Sequence, residues 1–208
     1  MADRIEELAG HRPVLVGIDG VDGAGQTVFA DEIAHTLRPR QVPVMRASVD
    51  GFHHPRTVRY RRGRNSPEGF FLDSYDYPTL RERLLDPLRP TGNRQVLRAV
   101  CDVATEQPVH AAPETVADGT VLVFHGIFLH RPELRDYWDL SVFLDVNFEV
   151  SIPRGLARGY GDPDPAAASN RRYVDGQQLY LARCQPHQHA TFVIDNNQLD
   201  APSVLHER

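Results

Sequence analysis

The sequence predicts an α/β fold of three layers, with helices on both faces of a mostly parallel central sheet. Three observations carry this. An apolar run at 14–16 leads through a glycine-rich turn into 27–37, where Phe29, Ile33 and Leu37 recur at helical spacing. Short apolar runs follow at 42–47, 120–124, 140–146 and 191–194. Helical periodicity lies between them, and strands that alternate with helices build parallel sheets. A length of 208 residues suits one domain, 1–208, with a sizeable core.

The glycine turn has a chemical meaning. Gly20, four residues, Gly25, Gln26 and Thr27 match the phosphate-binding pattern G-x-x-x-x-G-K-[ST] in all but the lysine. Strand, loop and helix at 13–37 supply the required context, that of a P-loop NTPase-type fold. Glycines let the backbone approach a ligand closely, and the free N–H groups and dipole of the next helix favour negative charge. Gly20, Asp22, Gly23, Ala24, Gly25, Gln26 and Thr27 are therefore the expected cradle for ATP phosphates, with the Thr27 hydroxyl on Mg²⁺. Gln26 can donate a hydrogen bond but carries no charge. Loss of such a transition-state donor slows chemistry by about 10²–10³-fold.

Composition narrows the partners. The net charge of −5 gives no global field for nucleic acid. All 23 basic residues are arginine, so no other lysine can deputise at the loop, although an arginine could. Cys101 and Cys184 lie far apart without metal-type spacing and read as free thiols of a reducing cytoplasm. The segment MADRIEELAGHR lacks the apolar core of a signal peptide, and no run reaches the length of a membrane span. A cytoplasmic protein without a membrane partner is expected.

Along the chain, 2–10 forms a short helix with Ile5 and Leu8 on one side. The strand at 42–47 ends in Ser48-Val49-Asp50. In a parallel sheet that places Asp50 at the ligand-binding edge, where a carboxylate accepts a proton from a hydroxyl or helps hold Mg²⁺. The segment 50–78 carries five arginines between Arg56 and Arg64, besides His53, His54 and Tyr60. In an acidic chain it fits a cover for a phosphorylated or polyhydroxyl ligand. Ser66 caps a helix begun by Pro67. Helix follows at 79–88, a β-hairpin or two-stranded flap at 95–110, and a short helix at 131–138 with Trp138 as core anchor. The stretch 149–159 can be helical, but Pro153 and Gly155 should make it irregular or delay its start. Arg154 and Arg158 share its face if it is helical. Residues 161–168 read as a linker or lid tip within a lid region at 149–172. A helix at 170–184 sets Tyr173, Gln177 and Tyr180 on one side, a stripe suited to packing. The tail after Asp195 is peripheral.

The P-loop, Ser48-Val49-Asp50-Gly51-Phe52, Ser66-Pro67-Glu68-Gly69-Phe70, FHGIF at 124–128 and the C-terminal helix and strand occur in one order. In that order the chain resembles the uridine kinase / phosphoribulokinase / pantothenate kinase family of P-loop kinases over about 12–197, most of all its actinobacterial uridine kinase-like members. The resemblance implies ATP with Mg²⁺, Asp50 as catalytic base near the metal, and Glu68 on ribose hydroxyls. It implies Arg154 and Arg158 as lid arginines on phosphate, and a flap over a nucleoside pocket. His53, Arg56, Tyr75, Tyr173 and Gln177 are further substrate candidates. Two positions depart from the family: Gln26 stands for lysine, and His125 for the acid that organises Mg²⁺. The expected function is ATP-dependent phosphorylation of a hydroxyl on a nucleoside, uridine- or cytidine-like, or on a similar small polyol. The alternatives are a nucleotide- or nucleoside-binding pseudo-kinase, and altered acid/base chemistry through His125. A small-molecule partner follows from each, and homo-oligomerisation is left open.

Overall fold

The structure, a computed structural model, describes residues 1–10, 12–156 and 162–208. Its main strands are β1 (Val14–Gly20), β2 (Val44–Ser48), β3 (Val121–His125), β4 (Leu140–Asp145), β5 (Phe192–Asp195) and β6 (Ser203–Glu207). The helices that position the site are α1 (Ala2–Leu8), α2 (Gln26–Leu37), α3 (Pro67–Asp73), α4 (Phe148–Leu156) and α5 (Arg171–Cys184). The sheet order is β6-β5-β4-β1-β3-β2, with only β6 antiparallel to its neighbour. The expected α/β fold with a mostly parallel sheet is the observed one.

Sequence alternation inside β1 divides the core. Val14, Val16 and Ile18 pack with Ile33 and Leu37 of α2 and with Ile5 of α1, while Leu15 faces Phe52, Phe71, Leu84 and Tyr180. Both faces are covered, so the central strands read as continuous apolar runs. Gly17 has a steric cause: an added Cβ would lie 2.8 Å from the Trp138 ring. That ring stacks on Phe124 at 5.6 Å, and its Nε1 donates to the Leu129 carbonyl at 2.9 Å.

β3 and β4 flank β1 on opposite sides. The chain thus reverses its direction of winding at the end of β1, and ligands of open parallel sheets bind at such a switch. That end is fixed by Asp19, which is fully buried. Its Oδ1 accepts from Gly20 N at 2.8 Å; its Oδ2 accepts from Leu129 N at 3.0 Å, His130 N at 3.1 Å and His130 Nδ1 at 2.7 Å, and from the Tyr180 hydroxyl. Burial and the nearby carboxylate push the Tyr180 phenol well above its usual range, so it stays a donor.

Several local expectations change. The helix expected at 79–88 starts two residues earlier, at Tyr77, and carries a π turn at Arg81–Leu85. Pro87 cannot donate to the Arg83 carbonyl, which instead accepts from Leu97 N at 2.9 Å. The stretch 131–138 holds only a 3₁₀ turn, Arg135–Tyr137, because Trp138 is already extended on its way into β4. α4 starts at Phe148 rather than late and carries Pro153 inside it. The flap consists of two-residue ladders, Gln95–Val96 with Glu114–Thr115 and Cys101–Asp102 with Gln107–Pro108. The tail, expected to be peripheral, supplies β6; every residue of that strand is exposed, so it has no buried face to leave a periodic signal. No helix among the described residues is long and apolar enough to cross a membrane.

Asp19→Ala should cost about 3–5 kcal/mol, as when one partner of a buried ion pair is removed. A urea-midpoint loss equivalent to under about 1 kcal/mol would show that packing alone holds this cluster.

Candidate active site

The end of β1, the loop 20–25 and the first turn of α2 meet the ends of β2 and β3 at a cleft of about 210 Å³. Asp22, Gln26 and Thr27 line it on the loop side, Ser48 and Asp50 from the end of β2 and the turn after it, and His125, Gly126 and Ile127 from the end of β3 and the residues after it. His53, Phe70 and Tyr75 complete the wall. Seven expected site residues therefore converge: Asp22, Gln26, Thr27, Asp50, His53, Tyr75 and His125.

The loop has the geometry its glycines predict. Gly23 and Gly25 have φ of +79° and +98°. A Cβ on Gly23 would lie 2.2 Å from the Ser151 carbonyl oxygen, so α4 packs directly on the loop. The Ala24 carbonyl accepts from Asn196 Nδ2 at 2.8 Å, and Asp22 N donates to Gln177 Oε1 at 2.5 Å. Gln177 is thus a buried brace of the loop rather than part of the cleft wall. Gln26 is turned inward as well: its Nε2 donates to the carbonyls of Gly20 at 3.0 Å and Val21 at 2.9 Å. The first N–H groups of α2 lack helical acceptors by construction and remain available to an anion.

Asp50 sits in a 3₁₀ turn, Val49–Phe52, whose cap is the Ser48 hydroxyl, accepting from Asp50 N at 3.2 Å. A bridge between His53 and Tyr75 draws the chain back over this turn. The Tyr75 hydroxyl donates to Asp50 Oδ1 at 3.3 Å, and burial beside Asp50 raises that phenol well above its usual range. His53 Nδ1 donates to the Asp50 carbonyl at 2.9 Å. The Asp50 side chain itself stays 61% exposed, open to a ligand.

His125 Nδ1 lies 3.0 Å from the Ala47 carbonyl and 3.3 Å from Arg46 Nη2. The carbonyl is the closer and can only accept, which assigns the proton to Nδ1 and leaves Nε2 a lone pair. Burial, then the Arg46 charge, hold this imidazole below its ordinary value. Burial does the same for His53.

Other expected residues lie elsewhere. Arg154 donates to the carbonyls of Asn196 at 2.9 Å and Asn197 at 2.6 Å and does not line the cleft. Arg158 falls outside the described residues. Glu68 meets Arg183 at 3.5 Å, away from the cleft lining. Arg56 pairs with Glu106 at 3.4 Å, and Tyr173 packs edge-on against Phe70 at 5.0 Å. The basic stretch, expected to cover a ligand, is largely matched within the protein. Arg61 and Arg62 close on buried Asp73, and Arg56 and Arg59 on Glu106. Among the described residues no lysine or arginine lines the cleft. Ser48, Phe70, Gly126 and Ile127 lay inside recognised motifs without being singled out as site residues, because only the fold says which motif positions face the cleft.

The two lowered imidazoles give stability a pH dependence. The unfolded chain protonates first, near 6.5, so their contribution is whole above that pH and is lost as pH falls through the lower folded values. Denaturant midpoints should fall from neutral pH toward about pH 5, and His125→Gln should flatten part of that slope. An unchanged slope in the variant would contradict this environment for His125.

The family model described as "Phosphoribulokinase / Uridine kinase family" matches residues 15–162. A uridine kinase of Deinococcus deserti is 26% identical over 209 residues, covering 95% of each chain. Uridine-cytidine kinase A of Dictyostelium discoideum is 28% identical over 150 residues, 70% of this chain and only 28% of that longer relative. In fold, the chain is similar to a possible uridine kinase from Bacillus stearothermophilus, with a TM-score of 0.69 at 23% identity over 92% of this chain and 97% of that one. It is also similar to phosphoribulokinase from Rhodobacter spheroides, at 0.59 and 14% over 89% and 70%. The chain belongs to the phosphoribulokinase / uridine kinase family.

Proposed function

We propose that this protein transfers a phosphoryl group from ATP to a hydroxyl of a nucleoside or a similar small polyol. One observation carries the reading: the open Asp50 carboxylate faces the same cleft as Thr27 and the first turn of α2. A hydroxyl bound against Asp50 would hydrogen-bond to the carboxylate, which takes its proton as the oxygen attacks phosphorus. Tyr75, kept protonated, holds Asp50 in place, and Phe70 offers an apolar wall to a ring. The uridine kinase names of the relatives support a nucleoside as acceptor.

A resident metal does not suit these residues. Among the described residues no group of three or more His, Cys, Asp or Glu could hold an ion. Imidazole at 125 is also a poor partner for Mg²⁺, which prefers oxygen. Thr27 and Asp50 remain as oxygen donors for Mg²⁺ that enters on the nucleotide phosphates, where it would offset their charge.

A second reading is a binding protein without turnover. It is favoured by the Gln26 amide, held on the carbonyls of Gly20 and Val21 where the family has a cation. Mass spectrometry of product and ADP formation over a panel of nucleosides and polyols decides between the two. The wild type should turn over slowly. Asp50→Asn should lower the rate at least about 10²-fold with ligand affinity kept. Gln26→Lys with His125→Asp should raise the rate by about 10²-fold or more. Nucleoside binding with no product in either protein would establish the binding reading instead.

A further inference from the structure

The phosphate end of the cleft lacks the family's cation, yet a guanidinium stands directly behind it. Arg46 projects from β2 beside Thr27 and His125, with 21% of its side chain exposed. Its Nη1 is paired with Asp31, a residue of α2 that is itself 69% exposed. Its other donors are poorly used. Nε is buried without an acceptor among the described residues. Nη2 has only the Thr27 carbonyl at 3.5 Å and the His125 Nδ1 at 3.3 Å, a nitrogen that carries its own proton toward Ala47. A buried donor such as this Nε is seldom left so, because an unpaired one costs about 1–3 kcal/mol. Two further facts single Arg46 out. Gln26 is turned into the loop, and Arg154 is held by the carbonyls of Asn196 and Asn197. The chain also has no lysine.

We propose that Arg46 is the phosphate-binding cation of this site, supplying from β2 the charge that the loop lacks at position 26. This rests on the reading of the cleft as a phosphoryl-transfer site. A phosphate at the first turn of α2 would take the N–H groups there and the unused guanidinium donors of Arg46. The exposed Asp31 carboxylate can exchange its partner for water, so the arginine can turn toward an anion at small cost. Arginine suits the task because its planar fork matches phosphate oxygens.

Calorimetry with inorganic pyrophosphate and ADP tests this, in EDTA so that no divalent ion masks the guanidinium. Adenosine serves as the uncharged control, and turnover is measured in parallel. Arg46→Met should weaken both phosphate probes about 10–100-fold, as for hydrogen bonds to a charged group, and leave adenosine unchanged. Arg46→Lys should recover part of the loss, and Asp31→Asn should bind as tightly as the wild type or more so. Arg46→Gln is the substitute if Arg46→Met does not fold. The proposal is overturned if Arg46→Met binds like the wild type. It is equally overturned if Asp31→Asn loses as much affinity as Arg46→Met, which would make the pair structural, or if the wild type binds neither phosphate probe. Phosphate binding that depends on Arg46 without turnover would sink the kinase reading alone. Turnover that survives Arg46→Met would sink only this one.

Discussion

A carboxylate without solvent access, that of Asp19, sits at the last turn of the backbone before the phosphate loop. Taking it out of water is costly, and the cost is offset only because both oxygens are filled by backbone amides, an imidazole and a phenol. Those donors come from β1, from the segment after β3 and from α5. One buried charge thus fixes the distance between the loop and two other parts of the molecule. The loop inherits its position from that arrangement, and the cleft inherits its floor.

α5 carries the same constraint outward. Tyr180 meets Asp19, and one turn earlier Gln177 takes the amide of Asp22. Gly176 brings the helix so close to α3 that a Cβ would lie 2.8 Å from the Pro67 carbonyl oxygen. Arg172 then gathers backbone carbonyls of the 59–66 segment. The phosphate loop and the segment that supplies Phe70 are therefore fastened to one rigid element. A displacement of either is felt by the other through packing rather than through a shared ligand.

The electrostatics of the cleft follow from where the arginines went. Five arginines lie between Arg56 and Arg64 and none lines the cleft, because Asp73, Glu106 and backbone carbonyls engage much of that charge locally. Gln26 satisfies loop carbonyls in place of reaching outward. What faces the ligand is a pair of carboxylates, two neutral imidazoles, a phenol and the positive end of α2. Asp50 and Thr27 face one cleft, and on the proposed reading Arg46 of β2 would meet the charge of the transferred phosphate.

The sequence by itself determined the fold class, the main parallel strands and the loop. Glycine spacing and strand ends, which are local signals, also singled out Thr27 and Asp50, while His53, Tyr75 and His125 were picked out by the family resemblance; all five line the cleft. The reach of such signals ended where partners are distant in sequence. Arg154 was assigned by order along the chain and Glu68 by its motif; in the fold they bond to Asn196, Asn197 and Arg183, and neither lines the cleft. Gln177 and Asp19 gained their roles only through neighbours across the fold, at separations of 155 and 111 residues from Asp22 and His130 respectively. β6 has no buried face and so no periodicity to read. Hydrophobic pattern specifies which elements form; which polar side chain meets which is decided only when packing sets the distances, since a hydrogen bond forms or fails within a fraction of an ångström.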